Sequence, residues 1–432
     1  MVRLRQLKDW TGLTYRELET RSRGNGDHLP RSTVASALRR NALPRHEFVE
    51  TMVRACGLDP DPWLHARRRL TVLGETAERP ADAAPAEQPS TPRQLPPTPP
   101  VLAGRSRELE HAVRMLSSTP VTVVSGPPGV GTSAVGVRAA HLVTHEFPDG
   151  QLYVNLRGTT PGAEPLTPAQ IAGVLLRSVG IPGSQVPADA GEAAGKLRTV
   201  LSDRRVLIVL DDVGSAAQVR PLVPCGGRST VILMSRTPLT SLDGSRHVHL
   251  APLSRGEAQE MLEGYLGAER VRGEPDEVRT LVDLCGGLPL GLRVAAARLA
   301  ARPEWPVRAL TERMADVRRR LDEFRVDDLE VRASLAVSFE RLGGGDDDQA
   351  RLAVRVLGLM AGLPSGEVRL PEAAALLNLS QDVADRALER LVDANLVESG
   401  TPGKYWVSDL VRLFALERSE LGDQADRDGV AR

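Results

Sequence analysis

The residues with the clearest chemical signature form a glycine-rich segment at positions 126–133. Its sequence is GPPGVGTS, and it lies between an apolar run and a helical pattern. In such a turn, backbone N–H groups and the N-terminus of the following helix bind phosphate groups. The segment fits the pattern GxxxxGKS/T except at Thr132, which replaces the lysine that contacts the β- and γ-phosphates. We predict a nucleotide-binding site that contains Gly126, Gly129, Gly131, Thr132, Ser133 and Ala134.

A second segment supplies carboxylates for the same site. Residues 206–210 read VLIVL, the pattern of a buried strand, and Asp211 and Asp212 follow them. Ligands of open α/β sheets bind at the carboxyl ends of the strands, so we expect both carboxylates beside the phosphates. Ser133 and Asp211 are the predicted Mg²⁺ ligands, and Asp212 is the predicted catalytic residue, which would orient water.

The absence of this lysine should affect nucleotide binding less than ATP hydrolysis. Most of the predicted phosphate contacts come from the main chain and survive without the cation, so the expected cofactors are ATP or ADP with Mg²⁺. The lysine also neutralises charge that develops during phosphoryl transfer. We therefore expect weak or absent ATP hydrolysis. A glycine-rich turn that binds nothing is the alternative.

The elements that must position these residues follow from the apolar pattern. Apolar runs alternate with helical patterns in the middle of the chain, which predicts a parallel sheet flanked by helices. The pattern becomes helical from about residue 255 to residue 325, and the last hundred residues predict short helices and a hairpin at 399–403. The five predicted strands are 121–124, 152–156, 206–210, 231–234 and 248–250.

Charge is unevenly distributed along the chain, although its formal net value is only −1. Residues 1–70 hold fourteen basic and eight acidic side chains, a net charge of +6, so the remaining residues carry −7. Eight prolines between residues 80 and 100 predict an extended linker after the basic segment. The total charge alone indicates no polyanionic partner, whereas the basic segment favours DNA.

Two helices joined by a turn are predicted in the basic segment. Thr14 and Glu17 form a capping box at the start of the first helix, and residues 29–40 read as the second. The pair resembles the Cro/repressor-type helix-turn-helix, whose second helix enters the major groove of DNA. The turn at residues 23–28 is longer than usual, and a helical module that docks a protein is the alternative. The predicted DNA-contacting residues are Arg31, Ser32, Thr33, Ser36, Arg39 and Arg40.

The order of motifs over residues 101–418 resembles the NB-ARC class of signal-transducing (STAND) ATPases, especially bacterial pathway regulators. The series is more specific than any one of its members. Its motifs are Gly104-Arg105, the glycine-rich segment, Asp211-Asp212, Ser235-Arg236, Gly287-Leu288-Pro289-Leu290 and Val407-Ser408-Asp409.

This resemblance implies roles for further residues. Arg105 would lie near the adenine and phosphates, Arg236 would sense the γ-phosphate, and Pro289 would pack on the nucleotide from a helical domain. Ser408 stands where the family has a histidine that contacts the β-phosphate of ADP, and Asp409 is expected to point inward. Changes at two phosphate contacts, Thr132 and Ser408, predict a degenerate switch or pseudo-ATPase.

The predicted fold class is α/β: a P-loop NTPase parallel sheet with a helical domain and a winged helix, preceded by an all-α helix-turn-helix domain. The acidic side chains of the predicted winged-helix segment 381–395 would repel DNA phosphates, so we assign this domain to regulation. The predicted boundaries are 1–72 for the helix-turn-helix domain, 73–100 for the linker, 101–254 for the nucleotide-binding domain, 255–325 for the helical domain, 326–420 for the winged helix and 421–432 for a tail.

These features predict a transcriptional regulator that binds DNA through residues 1–72. Its nucleotide module would control conformation or oligomerisation, with a homo-oligomer formed through the NB-ARC-like region. An active STAND ATPase switch and a signalling scaffold that does not bind DNA are the alternatives. Related proteins usually carry a C-terminal sensor array, and because this sequence ends at Arg432 we expect a separate sensor protein. No run of eighteen apolar residues occurs, so we expect a cytoplasmic location and no membrane partner.

Overall fold

The computed structural model describes two compact units, the head (Met1–Gln88) and the body (Pro89–Arg432). Residues 343 and 420–430 are described by their backbone alone. The described residues are 7–8, 10–24, 27, 29–31, 33–34, 44, 46–64, 91–160, 162–223, 227–317, 319–327, 329–343, 348–363 and 365–430.

The head contains helices α1 (Tyr15–Gly24) and α2 (His46–Ala55). The predicted capping box begins α1, because the Thr14 N–H donates to Glu17 Oε2 at 2.8 Å and the Glu17 N–H donates to Thr14 Oγ1 at 3.3 Å. Apolar side chains from both helices and the neighbouring segments pack into a small core. Its fully buried members are Leu18, Val34, Met52 and Val53.

The predicted DNA-contacting segment is described at two of its six residues. Arg31 and Thr33 are exposed, whereas the adjacent Val34 is buried in the head core. The Val34 N–H donates to the Pro30 carbonyl at 3.1 Å, which is the spacing of one helical turn. Arg31 and Thr33 therefore face away from the core. The other four predicted contacts, Ser32, Ser36, Arg39 and Arg40, lie outside the described residues.

The first part of the body alternates strands and helices. In chain order its elements are α3 (Ser106–Ser118), β1 (Val121–Ser125), α4 (Thr132–Leu142), a 3₁₀ turn (Thr144–Glu146), β2 (Gly150–Asn155), α5 (Pro168–Ser178), a second 3₁₀ turn (Gly183–Gln185), α6 (Ala190–Leu201), β3 (Val206–Val213), α7 (Ala216–Val219), β4 (Thr230–Ser235) and β5 (Ser245–His249). The five strands are parallel and ordered β2-β3-β4-β1-β5, which confirms the predicted sheet. The chain passes from β1 to the far edge at β2, and such a reversal opens a ligand crevice at the carboxyl ends of the strands. This is the α/β fold of P-loop NTPases.

Both faces of the sheet are covered. Leu207 and Val209 of β3 point into one apolar core, whereas Ile208 and Leu210 point into a second core on the opposite face. A strand that is buried on both faces must be apolar at every position, which is why its sequence is a continuous apolar run.

The rest of the body is mainly helical. Its elements are α8 (Arg255–Leu266), α9 (Ala268–Gly273), α10 (Pro275–Leu284), α11 (Pro289–Ala300), α12 (Val307–Ala315), α13 (Arg320–Glu323), β6 (Arg325–Val326), β7 (Leu329–Glu330), α14 (Val331–Gly343), α15 (Asp348–Gly362), β8 (Glu367–Arg369), α16 (Leu370–Leu377), α17 (Gln381–Asp393), β9 (Glu398–Thr401), β10 (Lys404–Trp406) and α18 (Asp409–Val430). Strands β8, β10 and β9 form an antiparallel sheet that includes the predicted hairpin. The first apolar core continues from the parallel sheet through these helices. None of the described helices is long and apolar enough to cross a membrane.

Residues 92–94, near the end of the predicted linker, bind to the edge of the parallel sheet. Arg93 pairs in parallel with Gln151 of the edge strand β2. The Gln151 N–H donates to the Pro92 carbonyl at 2.7 Å, and the Gln94 N–H donates to the Gln151 carbonyl at 2.9 Å. We call residues 91–100 the strap. It pairs with the backbone N–H and carbonyl of Gln151, which an edge strand would otherwise leave unpaired.

Gly150 permits this close approach. Its φ is +137°, and a Cβ there would lie 2.6 Å from Pro92 Cγ. We expect Gly150→Ala to displace the strap, to lower the free energy of unfolding by about 1 to 3 kcal/mol, and to speed tryptic cleavage after Arg93. Gly162→Ala is the matched control, because its φ is +69° but no atom lies within 4 Å of an added Cβ. Equal cleavage rates in the two variants would contradict the contact.

Candidate nucleotide site

A cavity of about 490 Å³ lies at the carboxyl ends of β1, β3 and β4. The glycine-rich segment lines one wall, and the start of α11 lines another. Residues 99–103, at the end of the strap and just beyond it, also reach the cavity, apart from Pro100. The predicted site residues that line it are Arg105, Gly129, Gly131, Thr132, Ser133, Ala134, Asp211, Asp212, Arg236 and Pro289.

The glycine-rich segment turns sharply before α4. Gly129 has a φ of +82°, and Gly131, the residue that caps α4, has a φ of +94°. The N-terminus of α4 faces the cavity, with Thr132 as the first helical residue. Gly126 is buried and packs against the Leu250 backbone, so it does not line the cavity.

The two predicted Mg²⁺ ligands are in direct contact. Ser133 Oγ donates to Asp211 Oδ1 at 2.7 Å, although 78 residues separate them in the sequence. The Asp212 N–H donates to the same oxygen at 2.8 Å, and the Tyr153 hydroxyl donates to Asp211 Oδ2 at 2.8 Å. Burial raises the pKa of the Asp211 carboxyl, while the hydrogen bonds from Ser133, Tyr153 and Asp212 oppose that rise. Burial and the adjacent carboxylate raise the pKa of the Tyr153 phenol, which keeps it a donor.

Asp212 is held by the loop that follows β2. Its φ is +53°, and its carboxylate accepts hydrogen bonds from the Thr159 N–H at 3.0 Å and from Thr160 Oγ1 at 3.0 Å. A third hydrogen bond comes from Thr159 Oγ1. Asp212 lines the cavity, but in this conformation its oxygens bind neighbouring side chains and backbone.

Arg105 lines the cavity and is itself a structural cross-link. Its side chain is 3% exposed and forms an ion pair with Glu108 at 2.9 Å. The guanidinium also donates to the Ala251 carbonyl at 2.7 Å and to the Val130 carbonyl at 3.3 Å. Arg105 thereby connects the start of α3 to the glycine-rich segment and to the segment before α8.

Arg236, which follows β4, joins the sheet to α14. It donates to the Ser334 carbonyl at 2.5 Å and to Ser338 Oγ at 3.4 Å. Its own carbonyl accepts a hydrogen bond from the Asn395 side chain, which follows α17. Burial lowers the pKa of the Arg236 guanidinium, and the nearby Asp212 carboxylate opposes that shift.

Pro289 begins α11 at the cavity wall. The next residue, Leu290, donates its N–H to the Gly129 carbonyl at 3.0 Å. The Leu290 side chain also packs on Gly129, where an added Cβ would lie 3.0 Å from Leu290 Cβ. The start of α11 is therefore fixed directly on the glycine-rich segment.

Ser408 and Asp409 lie elsewhere. Ser408 lines a second, smaller cavity behind the glycine-rich segment, together with Pro127, Pro128 and Asn395, and it does not line the main cavity. Asp409 is exposed, so the expectation that it points inward was wrong. Asp409 is the first residue of α18, where a carboxylate is stabilised by the helix dipole without a buried partner.

The sequence did not single out several residues that the fold brings to this site. Asn155, Thr159 and Thr160 line the cavity from the end of β2 and the loop after it, and Arg293 lines it from α11. Asn155 is the one polar amide inside the predicted strand 152–156, and in the structure that strand ends at Asn155. Arg293 offered no such signal, because arginines are abundant throughout the chain.

The raised pKa of Asp211 predicts a pH-dependent stability. The folded chain binds the Asp211 proton more tightly than the unfolded chain does, so ionisation of this group lowers the free energy of unfolding as the pH rises above about 4. Asp211→Asn removes the ionisable group. The free energy of unfolding of this variant minus that of the wild type should therefore increase from pH 4.5 to pH 7, as measured by urea unfolding in EDTA. Asp203→Asn, at an exposed carboxylate, is the control, and a difference independent of pH for Asp211→Asn would contradict the assignment.

Two curated relatives match most of this chain. The regulatory protein AfsR of Streptomyces griseus is 40% identical over 375 residues, which are 85% of this chain and 38% of the relative. AfsR of Streptomyces coelicolor is 38% identical over 388 residues, which are 87% of this chain and 38% of the relative. This chain thus spans less than two fifths of the length of either protein.

A solved structure of a Walker-type ATPase from Pyrococcus abyssi aligns with a TM-score of 0.49 and 14% identity, over 73% of this chain and 96% of its own. No family model matches the chain. The P-loop fold, the ordered motifs and the similarity to the AfsR proteins lead to one assignment. The chain is related to the AfsR regulatory proteins over most of its own length, and its ordered motifs resemble those of the NB-ARC (STAND) class.

Proposed function

We propose that this chain is a DNA-binding transcriptional regulator whose body binds ADP or ATP with Mg²⁺. The observation that carries the proposal is the cavity that joins the glycine-rich segment to the Ser133 and Asp211 pair. Two relatives are named regulatory proteins, which supports a regulatory role. Nucleotide would control the conformation or the homo-oligomerisation of the NB-ARC-like region.

The cavity has the chemistry of a nucleotide site. Its phosphate end has the glycine-rich backbone, the N-terminus of α4 and the hydroxyls of Thr132 and Ser133. Apolar and aromatic side chains also line the cavity and would suit a nucleotide base. These are Val101, Leu102, Leu253, Met261 and Tyr265.

The donor set of Ser133 and Asp211 fits Mg²⁺, which prefers hard oxygen ligands and is usually held by one or two carboxylates together with phosphates. Bound there, the ion would neutralise phosphate charge. Tyr153 would keep Asp211 Oδ2 oriented through its hydrogen bond.

We expect ATP hydrolysis to be weak or absent. Thr132 brings no cation to the phosphates, and the Asp212 carboxylate accepts three hydrogen bonds from Thr159 and Thr160. A water-orienting role for Asp212 would require release of that loop. The favoured use of the site is therefore binding and switching, as in a pseudo-ATPase.

The nucleotide proposal predicts that the whole 432-residue chain carries bound nucleotide or can bind it. Denaturation of the purified chain should release ADP in near-stoichiometric amount, identified by ion-exchange chromatography. Added Mg²⁺ and ADP should stabilise nucleotide-free protein by about 2.7 kcal/mol at 100 times the dissociation constant. In Ser133→Ala the stabilisation should lose its dependence on Mg²⁺, because one oxygen ligand is removed. No released nucleotide and no stabilisation would contradict the proposal, whereas ATP turnover that disappears in Asp211→Asn would support the active ATPase instead.

DNA binding by the head is supported by the net charge of +6 over residues 1–70 and by the exposed Arg31 and Thr33 beside the buried Val34. In a Cro/repressor-type helix-turn-helix, residues at this position of the second helix contact DNA. Residues 71–432 carry a net charge of the opposite sign, −7, and would not supply such contacts.

The salt dependence of DNA binding by the whole 432-residue chain tests this assignment. Arg31→Ala with Arg39→Ala should weaken binding to duplex DNA and lower the slope of log affinity against log salt by about 2, because two phosphate contacts are lost. Arg279→Ala with Arg308→Ala removes the same charge from exposed positions of the body and is the control. Equal slopes for the two double variants would favour the protein-docking scaffold.

A further inference from the structure

The cavity lacks the cation that a P-loop ordinarily provides. Thr132 stands at the lysine position and is neutral, while Asp211 and Asp212 bring negative charge to the same space. A nucleotide carries further negative charge on its phosphates. The backbone contacts can bind phosphates without a cation, but a positive group from another part of the body would strengthen that binding.

Three arginines line the cavity in the part of the chain that the structure describes: Arg105, Arg236 and Arg293. Arg105 already forms an ion pair with Glu108 and donates hydrogen bonds to two backbone carbonyls. Arg236 already donates hydrogen bonds to Ser334 and Ser338 of α14. Neither guanidinium can turn to a phosphate without breaking contacts that hold the body together.

Arg293 differs from the other two. It is exposed at the cavity and forms no hydrogen bond or ion pair with another described residue. It lies four residues after Pro289 on α11, so the two side chains share the helix face that lines the cavity. The planar guanidinium suits bidentate contacts with phosphate oxygens.

The position of Arg293 is fixed by the glycine-rich segment itself. The hydrogen bond from the Leu290 N–H to the Gly129 carbonyl and the packing of Leu290 on Gly129 hold the first turn of α11 against that segment. Arg293 is one turn further along the same helix.

We propose that Arg293 supplies, from α11, the phosphate-contacting charge that Thr132 does not supply from the glycine-rich segment. This inference rests on the proposed nucleotide binding and names the residue that gives that site its affinity for polyphosphates. The nucleotide phosphates would then connect the glycine-rich segment to α11. Diphosphates and triphosphates would hold α11 in place, and a monophosphate would do so much less.

The test is calorimetric titration of the whole, nucleotide-free 432-residue chain with Mg²⁺-ADP and with AMP. Arg293→Gln should weaken ADP binding by about tenfold or more, since a charge-assisted hydrogen bond is lost, and should change AMP binding less than twofold. Arg138→Gln removes the same charge from an exposed position of α4 that does not line the cavity, and should leave both affinities unchanged. Thr132→Lys in the Arg293→Gln background should restore ADP affinity, because the lysine returns the charge to the opposite side of the phosphates.

The outcomes separate this proposal from the one it rests on. If the wild type binds ADP and Arg293→Gln binds it equally well, the role of Arg293 is overturned while nucleotide binding stands. If Arg293→Gln weakens ADP and AMP alike, or if Thr132→Lys does not restore ADP affinity, the charge assignment is also overturned. If the wild type binds neither nucleotide, the proposed function fails and this inference fails with it. Thermal unfolding without ligand should be the same for Arg293→Gln and Arg138→Gln.

Discussion

The docking of α11 on the glycine-rich segment is the interaction on which the organisation of the body depends. One backbone hydrogen bond, from the Leu290 N–H to the Gly129 carbonyl, and the packing of Leu290 on Gly129 close the cavity between the sheet and the helical elements. The contact requires a residue without a side chain at Gly129, whose φ is +82°. Because the apolar core continues across this junction, the sheet and the helices behave as parts of one packed unit.

Arginine has several different uses around this cavity. Arg105 and Arg236 donate to carbonyl and hydroxyl oxygens and so connect elements that are distant in sequence. Arg341 does the same from α14, where its guanidinium donates to the Gly158 carbonyl at 3.3 Å and to the Gly214 carbonyl. Such contacts satisfy backbone groups at the ends of strands and loops, which would otherwise be costly to bury. A guanidinium used in this way is unavailable to a ligand, so proximity to the cavity does not by itself assign a binding role.

The strap, which is the end of the predicted linker, connects the edge of the parallel sheet to the nucleotide cavity. Residues 92–94 hydrogen-bond to β2, Leu95 packs on the main core, and Pro99 already lines the cavity. A proline-rich composition predicts an extended chain with unpaired backbone groups, and an extended chain is the geometry that an open sheet edge can bind. The sequence could indicate the extended conformation, but it contained no signal for the edge that receives it.

The sequence by itself determined the features that arise from local pattern. The apolar runs gave the five parallel strands, the glycine-rich turn gave the start of α4, and the Thr14 and Glu17 pair gave the start of α1. Asp211 was also predictable at the site, since it closes a buried strand. Only the tertiary structure decided that Tyr153 orients Asp211 and that Ser408 faces a different cavity. It also decided that, among the described arginines of the main cavity, Arg293 is the one that forms no hydrogen bond or ion pair with another described residue. These properties depend on which distant segments meet, and that is set by packing across the core, whereas the local pattern depends only on neighbouring residues and their backbone preferences.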